Sequence, residues 1–310
     1  MLIITGTVAY DYIMDYPDSF SDHILPDQLH KINLSFIVSR FEKRRGGTGG
    51  NASYSLGLLK IPHKFISFAG KDFSEYKSAF QKLKIDMTGV NIHKEKYTAT
   101  GFAMTDRADN QIWGYFYGAA EDSPNIDLKF VNPKKDLVLI GPCGAKGSMS
   151  SVNQCIKYKI PYVMDPGFIL TEVSDADLTK AVKNAKYVIG NDYEIELIAT
   201  RVKGWEKIKK EKIVITTLGK DGAKIEDKGK IIKIEPCLVK KPVDPTGAGD
   251  AWRSGFLAGI HHGLSLLTSG RMGAVAAAFA VENYGTQEHK YSIKEFKSRY
   301  RKTYHEMLNF

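Results

Sequence analysis

Cysteine is scarce in this chain: Cys143, Cys155 and Cys237 are its three thiols. They are odd in number and far apart, which excludes a disulfide scaffold and offers no metal-ligand spacing. Long apolar runs are missing too, and none approaches the roughly 20 residues needed to cross a bilayer. The opening residues, MLIITGTVAYD, lack a basic start and a long apolar stretch, so no secretory signal is expected. No segment repeats, no tail is of low complexity, and no basic run is interleaved with aromatics. These absences point away from membrane spans and RNA-binding modules and toward a cytoplasmic protein.

What is present is the composition of an ordinary folded chain. Hydrophobic residues make up 43% and charged residues 25% of 310. That length suits one large α/β domain, or a core domain with an insertion, and buries a sizeable core without staples. Lysine and arginine outnumber aspartate and glutamate, 44 − 35 = +9. The lysines are scattered, as at Lys207, Lys209 and Lys210, so a mild pull on anionic small molecules is favoured over nucleic-acid binding.

Short apolar runs followed by small or polar clusters read as buried strands: LIITG (2–6), FISFAG (65–70), LVLIGP (137–142), PYVMDPG (161–167), YVIGND (187–192) and IVITTLG (213–219). Segments of helical period lie between many of them, at 51–60, 73–84, 148–159 and 175–185. Such alternation predicts a doubly wound αβα sandwich with a mostly parallel sheet, with ligands beyond the carboxyl ends of the strands. Residues 12–45 and 97–118 break the pattern. The second reads as two strands, 98–105 and 111–117; the first holds one more, KINLSFIV. Both are expected to form a small β-sheet lid, leaving 1–11, 46–96 and 119–310 as the large domain. Toward the C-terminus a helix after Gly249 carries Gly255, Gly259 and Gly263 on one face, a spacing that predicts close packing against the sheet. A buried alanine-rich helix follows at about 269–284.

The densest chemical signal is DPTGAGD at 244–250. A glycine turn feeds a helix start there, and Gly247, Ala248 and Gly249 leave backbone N–H groups uncovered. With the helix dipole they make an anion hole for a phosphoryl group in transfer. Asp250, inside the first turn, suits a general base toward a hydroxyl.

DPTGAGDAW resembles the C-terminal signature of the ribokinase/PfkB family of sugar and nucleoside kinases, and RRGGTGGNAS (44–53) resembles its N-terminal glycine signature. The likeness runs from the first strand to the helix ending near 284. VAYDYIMDYPDSF, LPDQLHKINLSFIV, VIGNDYEIELI and VENYGTQEH are similar to bacterial adenosine kinases in particular. The resemblance implies a ribokinase-like fold and transfer of the ATP γ-phosphoryl to adenosine. It implies Asp250 as base, Gly247, Ala248 and Gly249 as anion hole, and Asp11, at the end of the first strand, as acceptor from ribose hydroxyls. Gly47, Thr48 and Asn51 would also touch the ribose. Asn191 and Glu194, in NDYE, would hold Mg²⁺ through water, or simply form a capping box. Thr217, Gly219 and Gly222 would border ATP. Asn283 opens a segment bordering the adenine and a loop for a monovalent cation such as K⁺, which also involves the backbone near Asp244.

Phe102, Trp113, Phe116 and Tyr117 are candidates to stack on a purine. Strand alternation sends Trp113, Tyr115 and Tyr117 to one face and Phe116 to the other; the family likeness favours Phe102 and Phe116. The chain departs from the family at GKDFSEYK, which lacks a glycine after GxD, and at DPGFIL, which lacks the usual Asn and Arg. The phosphate-clamping cation is therefore unassigned, with Arg107 and Lys71 as candidates. Alternatives are kinases for guanosine, inosine, cytidine, ribose or fructose, and a non-catalytic nucleoside sensor. A monomer, or a homodimer through the lid, is expected, with no nucleic-acid or membrane partner.

Overall fold

The computed structural model describes residues 1–24, 33–108, 110–239 and 241–310. In chain order its strands are β1 (Leu2–Thr5), β2 (Ala9–Asp15), β3 (Arg40–Gly46), β4 (His63–Ala69), β5 (Asp86–Ile92), β6 (Ala99–Thr105) and β7 (Gln111–Phe116). β8 (Leu137–Ile140), β9 (Tyr162–Met164), β10 (Tyr187–Asn191), β11 (Ile213–Thr217), β12 (Ala223–Asp227) and β13 (Lys230–Ile234) follow. The main helices are α1 (Thr48–Leu58), α2 (Ser74–Lys82), α3 (Ala145–Lys157), α4 (Asp175–Asn184), α5 (Asp192–Arg201), α6 (Trp205–Lys209), α7 (Ala248–His261), α8 (Leu266–Val281) and α9 (Ile293–Tyr304).

Among the described residues these strands make two sheets. The larger runs β13-β12-β11-β10-β9-β8-β1-β4-β5 and is parallel except for the β11-β12-β13 hairpins at one edge. Its central strands are mostly apolar because both faces are covered. In β1, Leu2 and Ile4 join the core under α1, α7, α8 and α9, while Ile3 joins the opposite core with Val152, Leu178 and Ile198. The period of two thus builds an αβα sandwich from one strand sequence. No described helix is long and apolar enough to cross a membrane.

The smaller sheet runs β3-β2-β6-β7. It begins at Ala9, ahead of the expected boundary at residue 12, so Asp11 lies in β2 and not at the end of the first strand. The expected strand KINLSFIV is absent at 33–38, and its residues 31 and 32, with 25–30, lie outside the described residues. Paired residues share a face. Asp11 pairs with Arg44 and Gly101, Gly101 with Tyr115, and Ala103 with Trp113. Phe102 pairs with Tyr12 and Phe116 with Thr100, on the opposite face.

The glycine face of α7 packs against α8, not against the sheet. A side chain at Gly255 would lie 2.8 Å from Gly273 Cα, and one at Gly259 would lie 2.7 Å from Ser269 Cα. Gly263 is not part of this contact: with φ +70° and open space around it, it turns the chain after α7.

Candidate active site

α7 begins right behind Gly247, whose φ is +78° and whose Cβ would lie 2.9 Å from Thr286 Cβ; glycine alone meets both conditions. Ala248 N–H closes the preceding turn on the Pro245 carbonyl at 3.1 Å. The N–H groups of Gly249 and Asp250 have no partner among the described residues and sit at the positive end of the helix. An anion hole at this turn would rest on these two more than on Ala248.

Two cavities meet at this turn. One, of about 530 Å³, is lined by Thr217, Gly219, Gly222, Trp252 and Ala278 among others. The second, of about 230 Å³, is lined by Thr48, Asp165, Phe168, Glu194, Asp250 and Arg253 among others. Gly249 borders both. The geometry suits a donor group on one side of the turn and an acceptor on the other.

Asp250 opens onto the smaller cavity, and Asn51 on α1 donates Nδ2–H to its Oδ2 at 2.8 Å. Burial raises the Asp250 pKa, while Arg253 and Asn51 pull it back. One turn along α7, Arg253 Nε lies 2.5 Å from Asp165 Oδ2, and its Nη2 donates to Oδ1 at 2.7 Å. The same Nη2 is 3.8 Å from Glu194 Oε2. Burial pushes Asp165 up to about 7, against the opposing pull of Arg253. One buried guanidinium thus serves carboxylates from α5, α7 and the turn after β9.

Asp11 lies in a cradle of two glycines. A side chain at Gly46 would overlap its Oδ2, and one at Gly101 would lie 2.8 Å from its Oδ1. No described group donates a hydrogen bond to it, and burial lifts its pKa to about 6. Tyr115 shares this face; burial and then the Asp11 charge push its hydroxyl up to about 12. The Tyr115 ring is 6.3 Å from that of Phe168, at the smaller cavity. Gly47, with φ +84°, sets the start of α1, and Thr48 Oγ1 donates to the Pro142 carbonyl at 3.2 Å.

Glu194 and Asn191 form a capping box. Asn191 N–H donates to Glu194 Oε2 at 2.7 Å, and Glu194 N–H to Asn191 Oδ1 at 2.8 Å. Glu194 faces the smaller cavity, and its Oε1 has no hydrogen bond among the described residues. Asn283 is absent from the lining of the larger cavity; its amide donates to the Phe279 carbonyl at 2.8 Å and finishes α8. Asp244 gathers the neighbouring loop, accepting from Thr246 and Gly285 N–H at 2.9 Å each.

The pfkB family carbohydrate kinase model matches residues 5–292, nearly the whole chain. The chain belongs to the PfkB family of carbohydrate kinases. A nucleoside kinase of Methanothermobacter thermautotrophicus is 30% identical over 92% of this PfkB chain and 91% of its own. The Burkholderia thailandensis nucleoside kinase in complex with inosine superposes with a TM-score of 0.88 at 28% identity, covering 99% of each chain. Its ADP-inosine complex gives 0.86 at 31%, covering 99% of this chain and 97% of that one.

Within this PfkB fold, the structure brings together Asp11, Gly47, Thr48, Asn51 and the 247–250 turn. It does not bring Phe102 or Phe116 to them. Phe102 stacks on Tyr12 at 5.4 Å, on the face away from Asp11. The aromatics on the Asp11 face are Trp113 and Tyr115. Neither candidate cation reaches the cleft: Lys71 lies over Tyr97, and Arg107 is 3.9 Å from Asp22. Arg253, which sequence reading missed, lines the smaller cavity of this PfkB chain, and Lys220 lines the larger one. The signal was there, since a residue three past Asp250 lies on the same helix face.

Proposed function

We propose that the chain is an ATP-dependent nucleoside kinase that phosphorylates the 5′-hydroxyl of a purine ribonucleoside. The observation that carries this is the pair of cavities joined at Gly249, with Asp250 in the smaller one. ATP would lie against Thr217, Gly219 and Gly222. The ribose would set its hydroxyls on Asp11, an acceptor that no described group satisfies. The base would lie among Trp113, Tyr115 and Phe168, which offer flat faces for stacking.

Asp250 then takes the proton of the 5′-hydroxyl through Oδ1, because Asn51 occupies Oδ2. The hydroxyl oxygen bonds to Pγ, the bond from Pγ to the β,γ-bridging oxygen breaks, and ADP leaves. The Gly249 and Asp250 N–H groups meet the charge on the moving phosphoryl. Glu194, with one open carboxylate oxygen, fits a hydrated Mg²⁺, which when bound would offset phosphate charge. The small sheet would serve as a lid that excludes water.

The sequence favours adenosine. A similar solved kinase holds inosine, and this supports inosine as acceptor more directly. The test is ADP release from ATP and Mg²⁺ with adenosine, inosine, guanosine, cytidine, ribose and fructose at one concentration. Purine ribonucleosides, inosine among them, should lead. A lead by ribose or fructose overturns the acceptor class, and silence from folded, ATP-binding protein overturns the kinase.

A further inference from the structure

A buried chain of amides runs away from Asp250. Asn51 Nδ2 donates to Asp250 Oδ2 at 2.8 Å, so the other end of that amide, Oδ1, must accept. It accepts from Gln287 Nε2 at 2.9 Å. Gln287 lies in the segment after α8, far from Asn51 in sequence, and is 1% exposed. Its Nε2 also donates to the Tyr76 hydroxyl at 2.5 Å, and that hydroxyl donates to the Gly46 carbonyl at 2.8 Å. Both amide hydrogens of Gln287 are therefore in use.

We infer that Gln287 is a positioning residue for the base: it fixes the direction of the Asn51 amide and so decides which Asp250 oxygen receives the proton. This rests on Asp250 as base, proposed above. A flipped Asn51 would set its oxygen against the ionised carboxylate of Asp250 and its N–H₂ against that of Gln287. A flipped Gln287 would set its oxygen against that of Asn51. Either flip sets like atoms against each other in a buried place, which is costly, whereas the observed order leaves Gln287 Oε1 as the one amide atom of this pair without a partner among the described residues. With the donors in order, Oδ2 is occupied and Oδ1 is left for the hydroxyl. Tyr76 anchors the far end of the chain to the glycine turn before α1. A side chain at Gly50 would overlap the Tyr76 hydroxyl, so this tie also explains a glycine there.

Asp250 is faced as well by Arg253 and Glu194, which a change at Gln287 leaves in place. The test is Gln287→Glu, which keeps the size but has no N–H for Asn51 when ionised. In the nucleoside kinase assay kcat should fall about tenfold or more while KM for ATP stays within about twofold. The acidic limb of the kcat/KM profile should move to higher pH, because the donor to the charged form of Asp250 is lost. In an Asn51→Ala background the same change should cost less than about twofold, since the link is already cut. Additive losses, or an unmoved acidic limb, overturn the inference. If Gln287→Glu does not fold, Tyr76→Phe frees the far end of the amide and should move the limb the same way; an unmoved limb overturns the inference equally. Asp250→Asn separates the two readings. Retained activity there sinks the base itself, whereas lost activity with additive Asn51 and Gln287 effects sinks the role of Gln287 alone.

Discussion

Asp11 is a carboxylate to which no described group donates, and burial lifts its pKa from the ordinary 3.8 to about 6. Between those values the folded state binds the extra proton, so this group makes the fold less stable as pH rises through that window. Ribose hydroxyls would repay the ionised form by donating to it. Nucleoside KM should therefore fall as pH rises through about 6, and Asp11→Asn should raise KM about tenfold and flatten that dependence. Nucleoside KM measured from pH 5 to 8 for both proteins checks this. Arg253 acts at the same scale. Arg253→Gln leaves Asp165 buried without its partner, and such losses cost about 3–5 kcal/mol. Denaturant unfolding should show that loss, and Arg253→Lys should recover little of it, because a lysine cannot make the two-pronged contact. Asp250→Asn should lower kcat by roughly 10²-fold or more with nucleoside binding nearly intact.

At the scale of elements, the position of the 247–250 turn depends on how closely α7 lies to α8. Gly255→Ala would drive a methyl group into the Met272–Gly273 backbone and should cost about 1–3 kcal/mol, with lowered kcat as the α7 start shifts. Gly263→Ala meets open space and costs only the left-handed backbone, about 1 kcal/mol, with kcat unchanged. Thermal unfolding beside initial rates separates the two. The sequence signals at this scale were uneven for physical reasons. β1, β8, β10 and β11 were legible because strands buried on both faces read as apolar runs. β12 and β13 were not, because a lysine-rich edge hairpin carries no such run. Alternation divided the aromatics of β7 correctly into two faces. Which face meets the cleft is set by the pairing of β6 with Asp11 in β2, a long-range register that β7 does not encode. The DPTGAGD turn was legible because its glycines answer local backbone demands. The Asp165–Arg253 pair was not, because it joins residues distant in sequence.

At the scale of the whole molecule, the small sheet has two faces with different surroundings. One carries Asp11. The other presents Phe41, Phe102, Ile112 and Phe116, which are 61%, 45%, 46% and 50% exposed. Monomers rarely leave so contiguous an apolar patch in water. A second copy is a fitting cover: two identical sheets laid face to face bury the same residues twice about a two-fold axis, and association then stops at two. Light scattering at micromolar concentration should give the mass of a dimer, and Phe102→Asp with Phe116→Asp should give that of a monomer. A wild-type monomer would overturn the pairing. The same variant also decides between the two faces. If Phe102 and Phe116 pack copies together, the monomeric variant keeps the nucleoside KM of the parent. A KM raised tenfold or so in that monomer would return both rings to the purine.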